Sequence, residues 1–233
     1  MSEVIHQARG KQKRQKIIEV AALLLREEGP EAVTHRSVAS RAGVSLSATT
    51  YYFSGLDELL EEAARLNIHI WAQRARQAWS DIVGKPSPHS VEEMAQILIR
   101  ACLPKGISLI NHYRQLLAAE TSHVVKKAYR AGRNELDDAL TSILDHIGID
   151  ISAQVVIAVV DGAAVAAISE GRDVRQTAMH LLTQVLDPQN TASRAQPSAC
   201  QGARKPSTAD GGGAGRNNQV TPEAVTCLSV SAE

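Results

Sequence analysis

Residues 34–53 read T-H-R-S-V-A-S-R-A-G-V-S-L-S-A-T-T-Y-Y-F, two short helical patterns separated by Ala42-Gly43-Val44-Ser45. Thr34 can cap the first helix by offering its hydroxyl oxygen to the unpaired amides of the opening turn. Val38, Ala39 and Ala42 fall on one face at helical spacing. Gly43 supplies the reversal, because it tolerates positive φ at little steric cost. Ser45 can cap a second helix running through Thr49, Thr50 and Tyr52. Two alanine-lined helices joined by a short turn containing glycine make a helix-turn-helix, whose second helix enters the DNA major groove N-terminal residues first. An ordinary helical hairpin would use the same alanine and glycine. The Tyr51-Tyr52 pair and the basic segment ahead of it favour the DNA reading.

Charge distribution supports that reading where total charge does not. Lys+Arg and Asp+Glu are 25 each. Residues 1–56 hold eight basic against five acidic residues, and 57–187 hold thirteen against seventeen. The positive excess sits with the helix-turn-helix, where phosphates would lie.

The remaining segments keep the helical period and are closed by glycine and proline. Residues 1–10 read as an arm. A helix from Lys11 buries Ile17, Val20, Ala21 and Leu24 and stops at Gly29-Pro30. Ser54, three residues before Asp57, resembles a capping-box start. The helix it opens, 57–83, carries Leu59, Leu60, Ala63, Leu66, Ile70 and Trp71. At 1.5 Å per residue it forms a rod of roughly 40 Å. Further helices are predicted over 90–103, 107–121, 123–147, 151–170 and 173–186. From Pro188 the composition turns to Ser, Ala, Gly, Pro, Gln and Asn, which predicts a disordered tail.

Other chemistries find little support. Apolar residues make up 44% of the chain and aromatics 3%, the balance of alanine- and leucine-rich helices. Cys102, Cys200 and Cys227 lack metal-ligand spacing and suggest reduced thiols in a cytoplasmic protein. The basic, polar N-terminus carries no signal-like apolar run. The apolar stretch 151–168 contains Asp161 and is short of the roughly 20 residues a membrane span needs. No paired carboxylate, nucleophile elbow, metal cluster or nucleotide loop stands in a recognisable setting, so neither an enzyme nor a cofactor or metal is expected.

Helix 1, the helix-turn-helix and the run Tyr51-Tyr52-Phe53-Ser54-Gly55-Leu56-Asp57-Glu58-Leu59-Leu60 together resemble the TetR family of bacterial transcriptional regulators. The resemblance covers about residues 11–60 and is joined by an all-helical body with two final apolar helices. It implies an all-α fold: an N-terminal three-helix DNA-binding domain (1–56), a C-terminal helical ligand-binding and dimerisation domain (57–187), and the tail 188–233. It further implies a cytoplasmic homodimer that binds a palindromic operator in double-stranded DNA and is released by a small molecule. Carried over by position, Thr34 and Arg36 are phosphate contacts. Ser45, Leu46, Ser47, Ala48 and Thr50 face the groove, and Tyr51 and Tyr52 contact the backbone. Many members carry a phosphate-binding lysine where this chain has Leu56; Lys11, Lys13 and Arg14 are the candidates to replace it.

In the body, Trp71, Met94, Leu98, Cys102, Tyr113, Leu116 and Val159 suit either plain core or the wall of an effector cavity, with His112, Glu120 and Tyr129 as polar anchors. Gly162, Ala163, Ala166 and Ala167, with Ala178 and Leu182 of the next helix, form small-residue faces expected at a two-fold seam. A helical protein-interaction module without DNA is the competing reading, separable by the steep salt dependence of DNA binding.

Overall fold

Hydroxyl and carboxylate side chains start most of the helices. Thr34, Ser45, Ser90, Ser108, Ser122, Ser152 and Asp173 each accept a hydrogen bond from a backbone N–H in the turn that follows. Each such cap contributes about 1 kcal/mol. The computed structural model describes residues 2–105 and 108–187, and these form an all-α fold. Its helices are α1 (Ser2–Glu27), α2 (His35–Ala42), α3 (Leu46–Tyr52), α4 (Leu56–Ser80), α5 (Val91–Cys102), α6 (Leu109–Ala118), α7 (His123–Ile147), α8 (Ala153–Ser169) and α9 (Val174–Leu186). The tail reading from Pro188, with Cys200, Cys227 and the glycine run, lies outside the described residues, as does Ile107.

Two details of the N-terminal half differ from expectation. Residues 1–10 are not an arm: α1 is already helical from Ser2. Its only helix-breaking residue in that stretch is Gly10, a cost of about 1 kcal/mol that a 26-residue helix absorbs. Ser54 does not cap α4. The cap position is Gly55, and the Ser54 amide and hydroxyl both donate to Glu58 Oε2, at 2.7 and 2.8 Å. Half of a capping box is therefore present, with the carboxylate reaching back and no hydroxyl reaching forward.

Two apolar clusters hold the molecule. The N-terminal cluster joins Ile17, Ala21 and Leu25 of α1 to Val38 of α2, Phe53, and Leu59 and Ala63 of α4. Val125 and Ala128 of α7 complete it. The larger cluster joins Ala75 and Ala78 of α4 to Leu98 of α5, Leu140, Ile143 and Leu144 of α7, Val156 and Val160 of α8, and Leu182 of α9. α4 thus supplies core residues to both clusters, and the boundary expected at residue 57 is not a break in packing. Asn67, fully buried midway along α4, donates to the Ala22 carbonyl at 3.1 Å and to Gln115 Oε1 at 3.4 Å, tying α1 and α6 to the same helix.

The small-residue faces divide differently from the expected seam. Ala163, Ala167, Ala178 and Leu182 are completely buried inside the chain and are not free to meet a second copy. Gly162 and Ala166 point away from the core. The outer face of α8 consists of Val155, Ala158, Gly162 and Val165, with the two valines 44% and 52% exposed.

Candidate nucleic-acid interface and effector cavity

The turn between α2 and α3 is set by local chemistry. Thr34 Oγ1 accepts from the Ser37 amide at 3.0 Å while Ser37 Oγ accepts from the Thr34 amide at 2.9 Å, a reciprocal cap. Gly43 sits at φ +64°, and the Val44 amide turns back to the Ala39 carbonyl. A residue with a Cβ is strained there. Ser45 Oγ accepts from the Ala48 amide at 3.3 Å and starts α3.

This geometry sorts the expected DNA-facing residues. Leu46, Ser47, Thr50 and Tyr51 form the exposed face of α3, with Leu46 51% and Tyr51 82% open. Ala48 does not belong with them: it is buried beside Thr49 on the inner face, one hundred degrees around the helix from its neighbours. Thr34, Arg36 and Ser45 are exposed at the ends of their helices, and Lys11 and Lys13 along α1. Tyr52 is half-buried, packs edge-on against Tyr51 at 5.1 Å, and brings its hydroxyl close to Gly10. Arg14 is already engaged. Its guanidinium donates to Glu62 at 2.9 Å, lies 3.8 Å from Glu58, and covers the buried Phe53 ring at 5.0 Å. It links α1 to α4, and a phosphate contact from Arg14 would compete with these pairs.

In the body, a cavity of about 220 Å³ opens among α4, α6, α7, α8 and the end of α5. Of the expected effector residues, Trp71, Cys102, His112, Leu116 and Tyr129 line it. Tyr113 stands directly behind, its ring against His112 at 5.1 Å and its hydroxyl donating to Asp161 at 3.0 Å. Leu98 is fully buried core, while Met94 and Val159 pack on the outside of that core. Glu120 is a surface residue paired with Lys126, its side chain 82% exposed. These four do not reach the cavity. Ile68, Arg130, Arg133, Leu136, Ile157 and Asp161 complete the wall and were missed. Asp161 did leave a trace, as the one ionisable residue in α8.

Burial governs the chemistry of the wall. It pushes His112 down to about 4, helped by the Arg74 and Arg26 charges, so the ring is neutral near pH 7. The Gln115 amide faces His112 Nδ1 at 3.4 Å, and the Trp71 ring meets the imidazole edge at 5.1 Å. Burial raises the Cys102 thiol to about 12 and holds it protonated. It also raises Tyr113, Tyr129 and Asp161 above their ordinary values.

Comparison with known proteins places this architecture. Residues 17–63 match the family model of the bacterial regulatory proteins of the tetR family. Helix for helix, that match spans the C-terminal part of α1, all of α2 and α3, and the start of α4. Its N-terminal domain is that of the tetR family of bacterial regulatory proteins. The chain is accordingly a DNA-binding transcriptional regulator with the family's N-terminal helix-turn-helix domain and a helical C-terminal domain. Solved structures extend the likeness beyond the matched residues. The multidrug binding protein EbrR in complex with proflavin is 25% identical, with a TM-score of 0.54, over 74% of this chain and 99% of that one. A Saccharomonospora viridis protein described as a candidate transcriptional regulator, solved with choline, is 18% identical (TM-score 0.58, 75% and 96% covered). A Mesorhizobium loti TetR-family candidate regulator is 14% identical (TM-score 0.57, 76% and 97% covered). No curated protein matches the sequence. Among the described residues no helix is long and apolar enough to cross a membrane, and no group of His, Cys, Asp or Glu is placed to hold a metal ion.

Proposed function

We propose that the protein is a homodimeric repressor that holds a palindromic operator and releases it when a small molecule enters the body cavity. One observation carries the reading. α4 packs Leu59 and Leu60 under the DNA-binding helices and, just over three turns on, turns Trp71 into the cavity wall. A ligand pressing on Trp71 therefore acts on the same rigid helix that supports α3. Release requires a ligand whose affinity differs between the two arrangements by a few kcal/mol. That EbrR is solved with ethidium, imidazole, proflavin and malachite green supports reading this cavity as an effector site.

Dimerisation fits the outer face of α8. Val155, Ala158, Gly162 and Val165 form an apolar strip with small residues in its middle, the shape a two-fold contact between like helices favours. Two recognition helices would then meet successive major grooves about 34–36 Å apart.

The test is a gel-shift titration of the purified dimer against the upstream region of its own gene. A specific band that weakens steeply between low and moderate salt is expected. Equal affinity for unrelated DNA would overturn the operator reading.

A further inference from the structure

The cavity holds an acid with no salt-bridge partner among the described residues. Asp161 is the only charged residue of α8, and its carboxyl takes one protein hydrogen bond, from the Tyr113 hydroxyl at 3.0 Å. Neither rim arginine pairs with it among the described residues. Arg133, whose charge reaches Asp161 only through space, donates its Nε–H to Asp137 at 2.7 Å, and Arg130 is exposed to solvent. Arg74, farther in, donates to the Cys102 carbonyl at 3.2 Å, and His112 is neutral. A carboxylate withdrawn from water without a cation beside it is costly, and such groups are found paired or protonated.

The walls facing this acid have matching electrostatics. The rings of Trp71 and Tyr129, which line the cavity with Asp161, stand 5.1 Å apart at 53°, and the His112 ring is roughly perpendicular to Trp71. The negative quadrupole of an aromatic face attracts a cation, most strongly for Trp and when water is excluded. An anionic ligand would meet the aromatic rings and the carboxylate with like charge, and of the two arginines on the wall Arg133 is already paired with Asp137 and Arg130 is exposed to solvent. At about 220 Å³ the space lies below the range of drug-sized sites, which run from about 300 Å³ upward, so the occupant is small.

We propose that the cavity binds a small arylalkylammonium cation, with its ammonium on the free oxygen of Asp161 and its ring against Trp71 and Tyr129. The assignment rests on reading this cavity as the effector site, and it names the ligand's charge and shape. Ile68, Leu116, Leu136 and Ile157 provide the apolar remainder of the wall.

The experiment compares three probes of similar size on the full chain: 2-phenylethylammonium, its isostere 2-phenylethanol, and phenylacetate. Binding is followed by calorimetry and by Trp71 fluorescence in a Trp79→Phe background, Trp79 being remote from the cavity, against His146. The ammonium is expected to bind about tenfold or more tightly than the alcohol, and the carboxylate least. Asp161→Asn should bring the ammonium down to the alcohol's affinity while leaving the alcohol within about twofold. Tightest binding by phenylacetate, equal binding of ammonium and alcohol, no binding of any probe, or an unchanged preference in a folded Asp161→Asn protein would each overturn the proposal. The probe comparison on the unaltered chain decides the question even if that variant does not fold. Operator binding by the ligand-free protein is read separately, so failure of the cation assignment and failure of the repressor reading are distinguishable.

Discussion

A methyl group built on Gly132 of α7 would stand 2.5 Å from Cγ2 of Ile68 on α4, and 3.3 Å from its Cβ. The two long helices touch backbone to side chain here, beside the cavity that Ile68 lines. Gly132→Ala gains about 1 kcal/mol of helix propensity but forces a stiff β-branched neighbour aside, a cost of roughly 1–3 kcal/mol. Net destabilisation is expected in thermal melts. Ile68→Ala should relieve part of it in the double variant, read as a positive coupling in a double-mutant cycle.

Tyr51 and Thr49 are near neighbours on α3 with opposite exposure, 82% and 0%. Tyr51→Ala should weaken operator binding while stability changes by less than about 0.5 kcal/mol. Thr49→Asp should unfold the N-terminal domain, because a charge would be buried without a partner. Circular dichroism and gel shift on the two variants separate DNA contact from packing.

The pattern on α8 makes a similar pair. Val165→Asp, on the open face, should yield a folded monomer by sedimentation. Ala163→Asp, on the buried face, should lose helicity altogether. A dimeric, folded Val165→Asp protein would move the seam away from this face.

His112 gives a pH signature. Its folded value, about 4, lies below the ordinary 6.5, so between these two values the unfolded chain binds the proton and the folded chain does not. Stability therefore falls as pH drops from about 6.5 to 4, by roughly 2–4 kcal/mol from this residue. In His112→Phe that part of the acid sensitivity should disappear, seen as converging denaturation midpoints at pH 7 and pH 4.5 relative to the parent.

The start and stop of the helix-turn-helix were legible in the sequence because they are written locally: Thr34, Ser45 and Gly43 each act within one turn, whereas the starts of α1 and α4 were misplaced. The cavity was half legible. Trp71, His112 and Tyr129 are large or polar residues on amphipathic helices, whose inward face the 3.6 period reveals. α8 is apolar nearly all round, so periodicity cannot tell its core side from its outer side. That is why Ala163 and Ala167 were expected at a seam and Asp161 was passed over as a ligand anchor. Ala48 was misplaced for a related reason: on a seven-residue helix one position's rotation exchanges the groove face for the core face.

Because α4 runs without interruption past both clusters, its geometry is that of a lever. Twelve residues at 1.5 Å place Leu59 about 18 Å from Trp71. Pivoting by about 5° at the cavity would swing the far end through roughly 1.5 Å, comparable to half a hydrogen bond's length. On the proposed function, a displacement too slight to disturb the packing around a bound molecule would be large enough, at the other end of the same rod, to spoil the register of side chains against base edges.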